Sequence, residues 1–296
     1  MEADRAKGNG AGVAALVLAV TAFSWGFILV KALGLPAATI GFWRLLVGAA
    51  VLIGVAGALR VPWPPVWAPV VGAGVCFGLH QLVFIAATQW TSVAIVTLIV
   101  ALQPLVVALV SRKTVGERVP LPLLLWACVG VLGVAVVVLA NLGDASRSLA
   151  GDLLAVVNLF LFTAYFLFSK RARVGGAPTL TLTAGMLGVA LVTVTPALAF
   201  VAPIRPVHGW QWGLVAVLAL VPGNGHLLVN WAHARVSAAL ASLVLAAVPL
   251  LSSIWASLLF DEPYGPWHLV GMLLAAAAIE GGRRAEARHA RGARTA

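Results

Sequence analysis

The sequence predicts an all-α polytopic membrane protein with ten transmembrane helices arranged as two inverted five-helix repeats. Composition, the spacing of apolar segments and an internal repeat support this fold class. Of 296 residues, 62% are hydrophobic and only 9% are charged, and the mean hydropathy is +1.04. A soluble domain carries about 25% charged residues. The composition therefore indicates a membrane protein, and no polar stretch is long enough to form a second, soluble domain.

Ten apolar segments approach the ~20 residues that a helix needs to cross a bilayer. They run over residues 13–33, 37–59, 66–89, 92–111, 121–140, 150–169, 179–201, 210–230, 237–259 and 265–282. Most proline-rich and glycine-rich stretches fall in the gaps between them. The predicted organisation is an N-terminal segment (1–12), a first repeat (13–140), a linker (141–149), a second repeat (150–282) and a basic tail (283–296).

The distribution of positive charge predicts the topology. With the N-terminus inside, most of the nineteen Lys and Arg residues fall in inner segments, and the outer gaps hold only Arg147 and Arg205. The positive-inside rule then places both termini in the cytoplasm. The net charge of +10 is thus explained by topology, without a nucleic-acid partner. The tail is expected to be a solvated anchor beside lipid headgroups.

The internal repeat links two pairs of residues. Pro104 and Glu117 recur, at the same separation, as Pro249 and Glu262. A smaller match aligns residues 24–31 with residues 163–170, and each stretch ends in a lysine. Because five helices is an odd number, the second copy must enter the membrane from the opposite side. Inverted repeats of this kind are typical of alternating-access carriers.

These motifs resemble those of the drug/metabolite transporter superfamily, specifically its ten-helix EamA-type branch. The matching residues are Trp25-Gly26 and Lys31, Phe42-Trp43-Arg44, Pro104 with Glu117-Arg118, Gly151-Asp152-Leu153-Leu154, and Pro249 with Glu262. The resemblance covers nearly the whole chain. It implies a carrier of small organic solutes, most often an exporter in bacteria, and it does not specify the substrate.

Polar residues at mid-membrane usually face a cavity, so they are the first candidates for the substrate site. His80 and Gln81 lie near the middle of helix 3, and the segment Pro222 to His226, which includes Asn224, lies in the middle of helix 8. Gln81 and His226 occupy equivalent repeat positions. Pro222 removes a backbone donor and should break or loosen helix 8. The freed backbone groups would then ligate a substrate, or be satisfied by neighbouring helices as a packing kink.

Other polar residues are weaker candidates. Asn158 in helix 6, Gln103 in helix 4 and Asn230 in helix 8 either line a cavity or form interhelical hydrogen bonds. Trp25 either stacks on a planar substrate or packs in the core. Arg44 either attracts a carboxylate or, as we favour, has a structural role.

The two repeated glutamates, Glu117 and Glu262, are expected to complement the dipoles of helices 5 and 10. Lys31 is expected to snorkel to the outer interface. The two cysteines, Cys76 and Cys128, are predicted to be small buried hydrophobic residues, without a disulfide, metal or other cofactor.

No Asp or Glu lies at mid-membrane, which disfavours proton-coupled export of lipophilic cations. The sequence predicts an inner-membrane carrier that exports a small neutral or zwitterionic metabolite, such as an amino acid. Pro104, Pro222 and Pro249 are its predicted hinges, and a monomer is its simplest functional unit. A multidrug or other metabolite exporter is the alternative. A receptor, a scaffold or an intramembrane enzyme is a competing class, although HExxH and GxSxG motifs are missing from the sequence.

Overall fold

The computed structural model describes residues 2–91, 93–140, 148–201, 206–260 and 264–295. Within these ranges the regular structure is helical and comprises thirteen α-helical segments. They are α1 (Glu2–Leu33), α2 (Ala37–Ala58), α3 (Ala68–Trp90), α4 (Val93–Val100), α5 (Gln103–Thr114), α6 (Leu121–Ala140), α7 (Leu149–Val174), α8 (Thr179–Val201), α9 (Gln211–Leu220), α10 (Pro222–Ala232), α11 (Ala238–Leu245), α12 (Val248–Phe260) and α13 (Pro266–Thr295). Seven stretches in the described ranges are long and apolar enough to cross a membrane.

Three of the predicted helices are interrupted, and each interruption precedes a proline. The α4–α5 pair breaks just before Pro104, the α9–α10 pair at Val221 before Pro222, and the α11–α12 pair just before Pro249. Proline lacks a backbone N–H, so the helical hydrogen-bond pattern cannot continue unchanged through it. The predicted break in helix 8 is confirmed. The hinge role of the three prolines stays a prediction.

The two halves interlock through helix pairs that correspond when the halves are exchanged. Helix α3 of the first half contacts α7 and α8 of the second half. The corresponding helices make the same contacts, since α10 and α9 of the second half contact α1 and α2 of the first. Two further pairs, α2 with α8 and α6 with α13, join equivalent helices of the two halves. The internal repeat seen in the sequence is therefore also present in the packing.

Glycines allow the closest approaches between the halves. A Cβ atom added to Gly133 on α6 would lie 2.8 Å from the carbonyl oxygen of Gly271 on α13. On α3, a Cβ atom added to Gly74 would lie 2.8 Å from the Met186 carbonyl oxygen of α8. Small residues let membrane helices pack with their backbones in contact, so these two crossings hold the repeats together.

Some element ends and environments differ from the predictions. Helix α1 already begins at Glu2 and α13 continues to Thr295, so both predicted terminal segments continue as helix. Linker residues 141–147 lie outside the described ranges. Cys76 is half-buried, but Cys128 is exposed on α6, so its predicted burial was wrong. A membrane helix is apolar on its lipid-facing side as well as its buried side, and composition does not distinguish them.

One end of the bundle collects most of the described basic residues. We call it the basic end and define it by residues 111–118, 170–176, 233–238 and 283–290, which converge from α5, α7, α10, α11 and α13. The opposite end includes the segment that joins α1 to α2. Between the two ends, Phe77, Tyr165 and Phe166 are among the largest buried side chains of the main hydrophobic core.

Candidate functional site

A polar and aromatic cluster lies where α3, α7 and α10 meet. On α3, Nδ1 of His80 is 2.6 Å from Oδ1 of Asn158 on α7. Because a carboxamide oxygen only accepts hydrogen bonds, Nδ1 of His80 is the donor and Nε2 is left as the acceptor of the neutral ring. The His80 ring also stacks on Phe162, with ring centroids 4.8 Å apart. Asn158 is fully buried, and its Nδ2 has no hydrogen-bond partner in the described part of the chain.

A second pair lies beside the first. The Tyr165 hydroxyl on α7 is 3.0 Å from Nδ1 of His226 on α10, and the two residues are only 1% and 5% exposed. Phe77 on α3 connects the pairs, since its ring centroid lies 4.6 Å from His226, 5.1 Å from Tyr165 and 6.0 Å from His80. We call these residues, His80, Asn158, Phe162, Tyr165, Phe77 and His226, the midplane cluster, because they lie near the middle of the predicted helices 3, 6 and 8.

The glycine-rich start of α10 makes room for the cluster. Pro222 opens α10 after the break at Val221. A Cβ atom on Gly225 would lie 2.5 Å from the Phe23 ring, so only glycine lets this α1 side chain pack against α10 without displacement. The Phe23 ring centroid lies 4.7 Å from that of His226. The segment therefore interrupts the helix and also admits an aromatic wall for the histidine.

Arg44 borders this cluster from α2. Its Nη1 lies 3.5 Å from Oε1 of Gln81, a long hydrogen bond. Gln81 follows His80 directly on α3, so the contact places a permanent positive charge next to the neutral polar groups. Arg44 is half-buried.

Two predicted site residues are not members of the midplane cluster. Trp25 on α1 stacks on Trp255 of α12, with ring centroids 4.8 Å apart. Trp255 Nε1 donates to the Ser24 hydroxyl at 2.9 Å, which fixes that ring. Asn224, at the start of α10, has a buried Oδ1 without a hydrogen-bond partner among the described residues. The structure thus offers a second aromatic pair and a vacant acceptor near the helix break.

The remaining polar candidates, Asn230 and Gln103, differ in their hydrogen bonds. Asn230 Nδ2 donates to the Thr183 hydroxyl at 2.9 Å, an interhelical bond from α10 to α8. Gln103 is buried at the start of α5, and its Nε2 has no partner within the described ranges. Asn230 therefore takes part in the packing through Nδ2, although its Oδ1 has no partner among the described residues, whereas Gln103, like Asn224, lies beside a helix break.

The sequence interpretation missed the aromatic walls, namely Phe23, Phe77 and Phe162. Phe77 precedes His80 by three residues and Phe162 follows Asn158 by four, and such spacings place side chains on one helix face. That spacing was the available signal. It is weak, because the chain has eleven phenylalanines and most apolar helices contain one at some such spacing.

Glu117 was predicted to act at the start of helix 5, which is α6, and this was the wrong helix. Glu117 does not cap α6, the helix that follows it; its Oε2 accepts a hydrogen bond from the Ala238 N–H at the start of α11, at 2.7 Å. Gly116 has a positive φ of 73°, and this turn at the end of α5 directs the glutamate toward the other repeat. The Lys31 side chain and Glu262 lie outside the described part of the structure.

A helical bundle built from two interlocking repeats, with polar groups gathered between them, is the architecture of a membrane transporter. The profile of the EamA-like transporter family matches residues 10–139 and again residues 149–280. The chain therefore belongs to the EamA-like transporter family, as its motifs predicted. It is a multi-pass membrane protein whose partners are a small-molecule substrate and the surrounding lipid.

Comparison with individual proteins adds the fold alone. No curated protein matches the chain in sequence. One solved structure, whose title says only that it is the crystal structure of a protein, is 20% identical and superposes with a TM-score of 0.78. The match covers 93% of this chain and 97% of the other, so the whole fold is shared.

Proposed function

We propose that the protein is a ten-helix inner-membrane carrier that exports a small neutral or zwitterionic solute, such as an amino acid, by alternating access. The observation that carries this proposal is the midplane cluster, in which α3 of the first repeat meets α7 and α10 of the second. Substrate sites of inverted-repeat carriers lie at such an interface. The count of ten treats α4–α5, α9–α10 and α11–α12 as one interrupted helix each.

The proposed topology places the basic end in the cytoplasm. The Lys and Arg residues of the described helices concentrate there, as the positive-inside rule requires of the cytoplasmic side. Both termini would then be cytoplasmic. Since one chain contains both repeats, the proposed functional unit is a monomer.

The chemistry of the cluster suits a solute that carries both donors and acceptors. A buried polar group without a partner costs about 1–3 kcal/mol, so a substrate that pairs with Asn158 Nδ2 or Asn224 Oδ1 gains that energy. Arg44 would receive a carboxylate group. The Phe77 and Phe162 rings would contact an apolar side chain or ring of the solute.

The main alternative within the family is export of a cationic drug. A proton-coupled cation exporter needs a carboxylate within the membrane. The midplane cluster contains none, and Asp152 is bound to the Thr91 hydroxyl at 2.7 Å near the start of α7. A multidrug exporter of neutral compounds, or an exporter of another metabolite, remains the alternative substrate class.

The competing class, an intramembrane enzyme, has less support. Two histidines without thiolate or carboxylate neighbours make a poor metal site. In the described ranges no three His, Cys, Asp or Glu side chains come together as metal ligands.

The test is counterflow in liposomes that contain the purified protein. Amino acids and small metabolites are screened as internal and external solutes, with and without a pH gradient. We expect saturable, protein-dependent exchange of one solute class, and weaker apparent affinity in His80→Ala and in His226→Ala. A folded and inserted protein that exchanges none of the solutes would contradict the proposal, as would two histidine variants with unchanged kinetics.

A further inference from the structure

A buried lysine at the basic end carries a charge that the substrate site does not use. Lys170, near the end of α7, is only 5% exposed. Its Nζ lies 2.8 Å from Oε1 of Glu117 and donates to the carbonyl oxygens of His233 at 2.6 Å and Val236 at 2.7 Å. An ammonium group has three donors, so these three contacts satisfy it completely.

The partner of Lys170 belongs to the other repeat. Glu117 follows α5 of the first repeat, whereas Lys170 lies on α7 of the second. The same carboxylate also holds the first turn of α11 through its bond to the Ala238 N–H. One side chain therefore fastens the first repeat to both α7 and α11 of the second.

A second carboxylate strengthens the same junction. Glu286 on α13 accepts the Ser237 N–H at 3.1 Å through Oε1, and its Oε2 makes a short hydrogen bond with the Ser237 hydroxyl. Ser237 is the N-cap of α11 and accepts from the Leu240 N–H at 3.1 Å. The N-terminus of α11 is thus held by one glutamate from each side of the junction.

The position of this junction points to a part in transport. The segments α5 and α11 pack against each other, and each lies between a helix break and the basic end. If the basic end opens, α5 and α11 must separate. That movement would pull Glu117 away from the Ala238 N–H and from Lys170.

From this geometry we propose that the Glu117–Lys170 ion pair is the latch that keeps the basic end closed, and that it breaks and re-forms in every transport cycle. The inference rests on the alternating-access function proposed above. A buried ion pair contributes little net stability when intact, yet the loss of one partner is costly. Such a contact suits a switch between two defined states better than a simple structural brace.

Water can solvate the released charges in the open state. A cavity of about 310 Å³ already reaches the ion pair and is lined by residues that include Glu117, Lys170, Arg235, Ser237 and Glu286. Hydration of Lys170 on opening compensates for the lost contacts. The free-energy difference between the closed and open states is then small enough for substrate binding to reverse it.

The test measures how readily the closed end opens. Ser242 lies on α11 and is fully buried, so Ser242→Cys is placed in a Cys76→Ala, Cys128→Ala background. An impermeant maleimide is applied from the basic side, and its labelling rate reports opening without any knowledge of the substrate. We expect Glu117→Gln and Lys170→Gln each to raise this rate about tenfold or more, because the first leaves the buried Lys170 ammonium, and the second the partly buried Glu117 carboxylate, without its charged partner.

The matched control is Arg173→Gln, one turn further along α7. Arg173 is also a cation at this end, but it donates to the backbone carbonyls of Asn230, at 3.0 Å, and Ala177. We expect its labelling rate to stay within about twofold of the parent, since both of these acceptors belong to the second repeat. An equal increase in all three variants would mean general loosening and would overturn the proposal.

The double variant Glu117→Gln, Lys170→Gln tests whether the residues act through one contact, and it contains no unpaired buried charge if a single variant fails to fold. We expect its rate to be no higher than that of the single variants, since effects within one contact are not additive. Additive effects, or parental labelling rates in every folded variant, would refute the latch. Changed labelling in a protein that moves no solute would refute the transport proposal and, with it, the transport cycle of the latch, and would leave only a contact that holds the basic end closed.

Discussion

The midplane cluster and the basic end join the same two repeats with different chemistry. At the midplane the contacts are neutral, between two histidines, an asparagine, a tyrosine and aromatic rings. Two polar atoms in or beside this region, Asn158 Nδ2 and Asn224 Oδ1, have no partner in the described structure. At the basic end charged side chains make the contacts: Lys170 pairs with Glu117 and donates to two backbone carbonyls, which uses all three of its donors.

If both proposals hold, this difference separates substrate recognition from control of the conformational state. Unpartnered neutral groups are available to a passing solute and cost little to keep inside a membrane compared with a charge. A satisfied ion pair is not available to a solute, but its rupture marks a change between two states. The predictions below test whether the two regions are in fact separable in this way.

The largest effect is expected from the replacement of a midplane histidine. His226→Ala removes the partner of the Tyr165 hydroxyl and should weaken apparent substrate affinity about tenfold or more, since a lost buried hydrogen bond is worth about 1–3 kcal/mol. His233, seven residues later at the basic end, is equally buried, and its two ring nitrogens also lack a partner in the described structure, but it packs on Phe166 outside the cluster. Counterflow kinetics of His233→Ala should stay within about twofold of the parent. An equal loss of apparent substrate affinity in both variants would contradict the functional distinction between the midplane cluster and the basic end.

The next effect concerns the wall of the midplane cluster. In Gly225→Ala the new methyl group would lie 2.5 Å from the Phe23 ring, so we expect a loss of about 1–3 kcal/mol in stability, as for other overpacked sites. Gly26→Ala is the control, since its methyl group would lie at an ordinary 3.8 Å from Pro222 Cβ across the same interface. Thermal unfolding in detergent measures both. A tolerated Gly225→Ala would mean that Phe23 does not depend on glycine for its place against His226.

Apolar length and helix-breaking residues were sufficient to predict most of the fold. Helix α8 was predicted over 179–201 and spans Thr179–Val201, because its boundaries coincide with a change in polarity. The break at Pro222 followed from the properties of proline. The helical continuation of α13 to Thr295 was not predicted, since its charged sequence resembles a solvated tail when it is read without its helix.

The sequence led to a depth for the candidate site, which stays a prediction, but it did not show which side chains meet. His80 and Asn158 were recognised because polar residues are rare in apolar helices, and repeat alignment placed Gln81 at the depth of His226. Which side chains meet depends on the rotation of each helix about its axis, and a nearly uniform apolar sequence does not indicate that rotation. The Tyr165–His226 pair and the reach of Glu117 to α11 therefore required the three-dimensional structure.

A smaller effect is expected from the prolines that connect the two regions. Pro104 lies at the start of α5 and Pro249 near the start of α12, between the midplane and the ends that must move. Pro→Ala at either position permits a continuous helix, which should slow transport a few-fold while affinity is retained, because only the movement is affected. Counterflow rates at saturating solute measure this. Unchanged rates with intact expression would exclude a hinge role.

The smallest expected effect is a pH response at the basic end. Burial raises the pKa of Glu286 above its usual value, although hydrogen bonds from the Ser237 hydroxyl and N–H oppose this shift. The cavity at this site is also lined by Glu117, Lys170, Arg118, Arg235 and His289. Because burial in the closed arrangement raises the pKa of Glu286, the ionised carboxylate makes the closed arrangement less favourable relative to the open one. Protonation removes this energetic cost as the pH falls through the raised pKa. Mild acidification should therefore favour closure.

The expected decrease in Ser242→Cys labelling between neutral and mildly acidic pH is about twofold, after normalisation to a reference cysteine at the exposed Ala290. Glu286→Gln cannot ionise at position 286, so its labelling should lack this decrease. The midplane cluster should stay unaffected, with the same substrate affinity in Glu286→Gln as in the parent. A pH response that is identical in the two proteins would assign it to another group at the basic end, and a changed affinity would show that charge at this end reaches the recognition site after all.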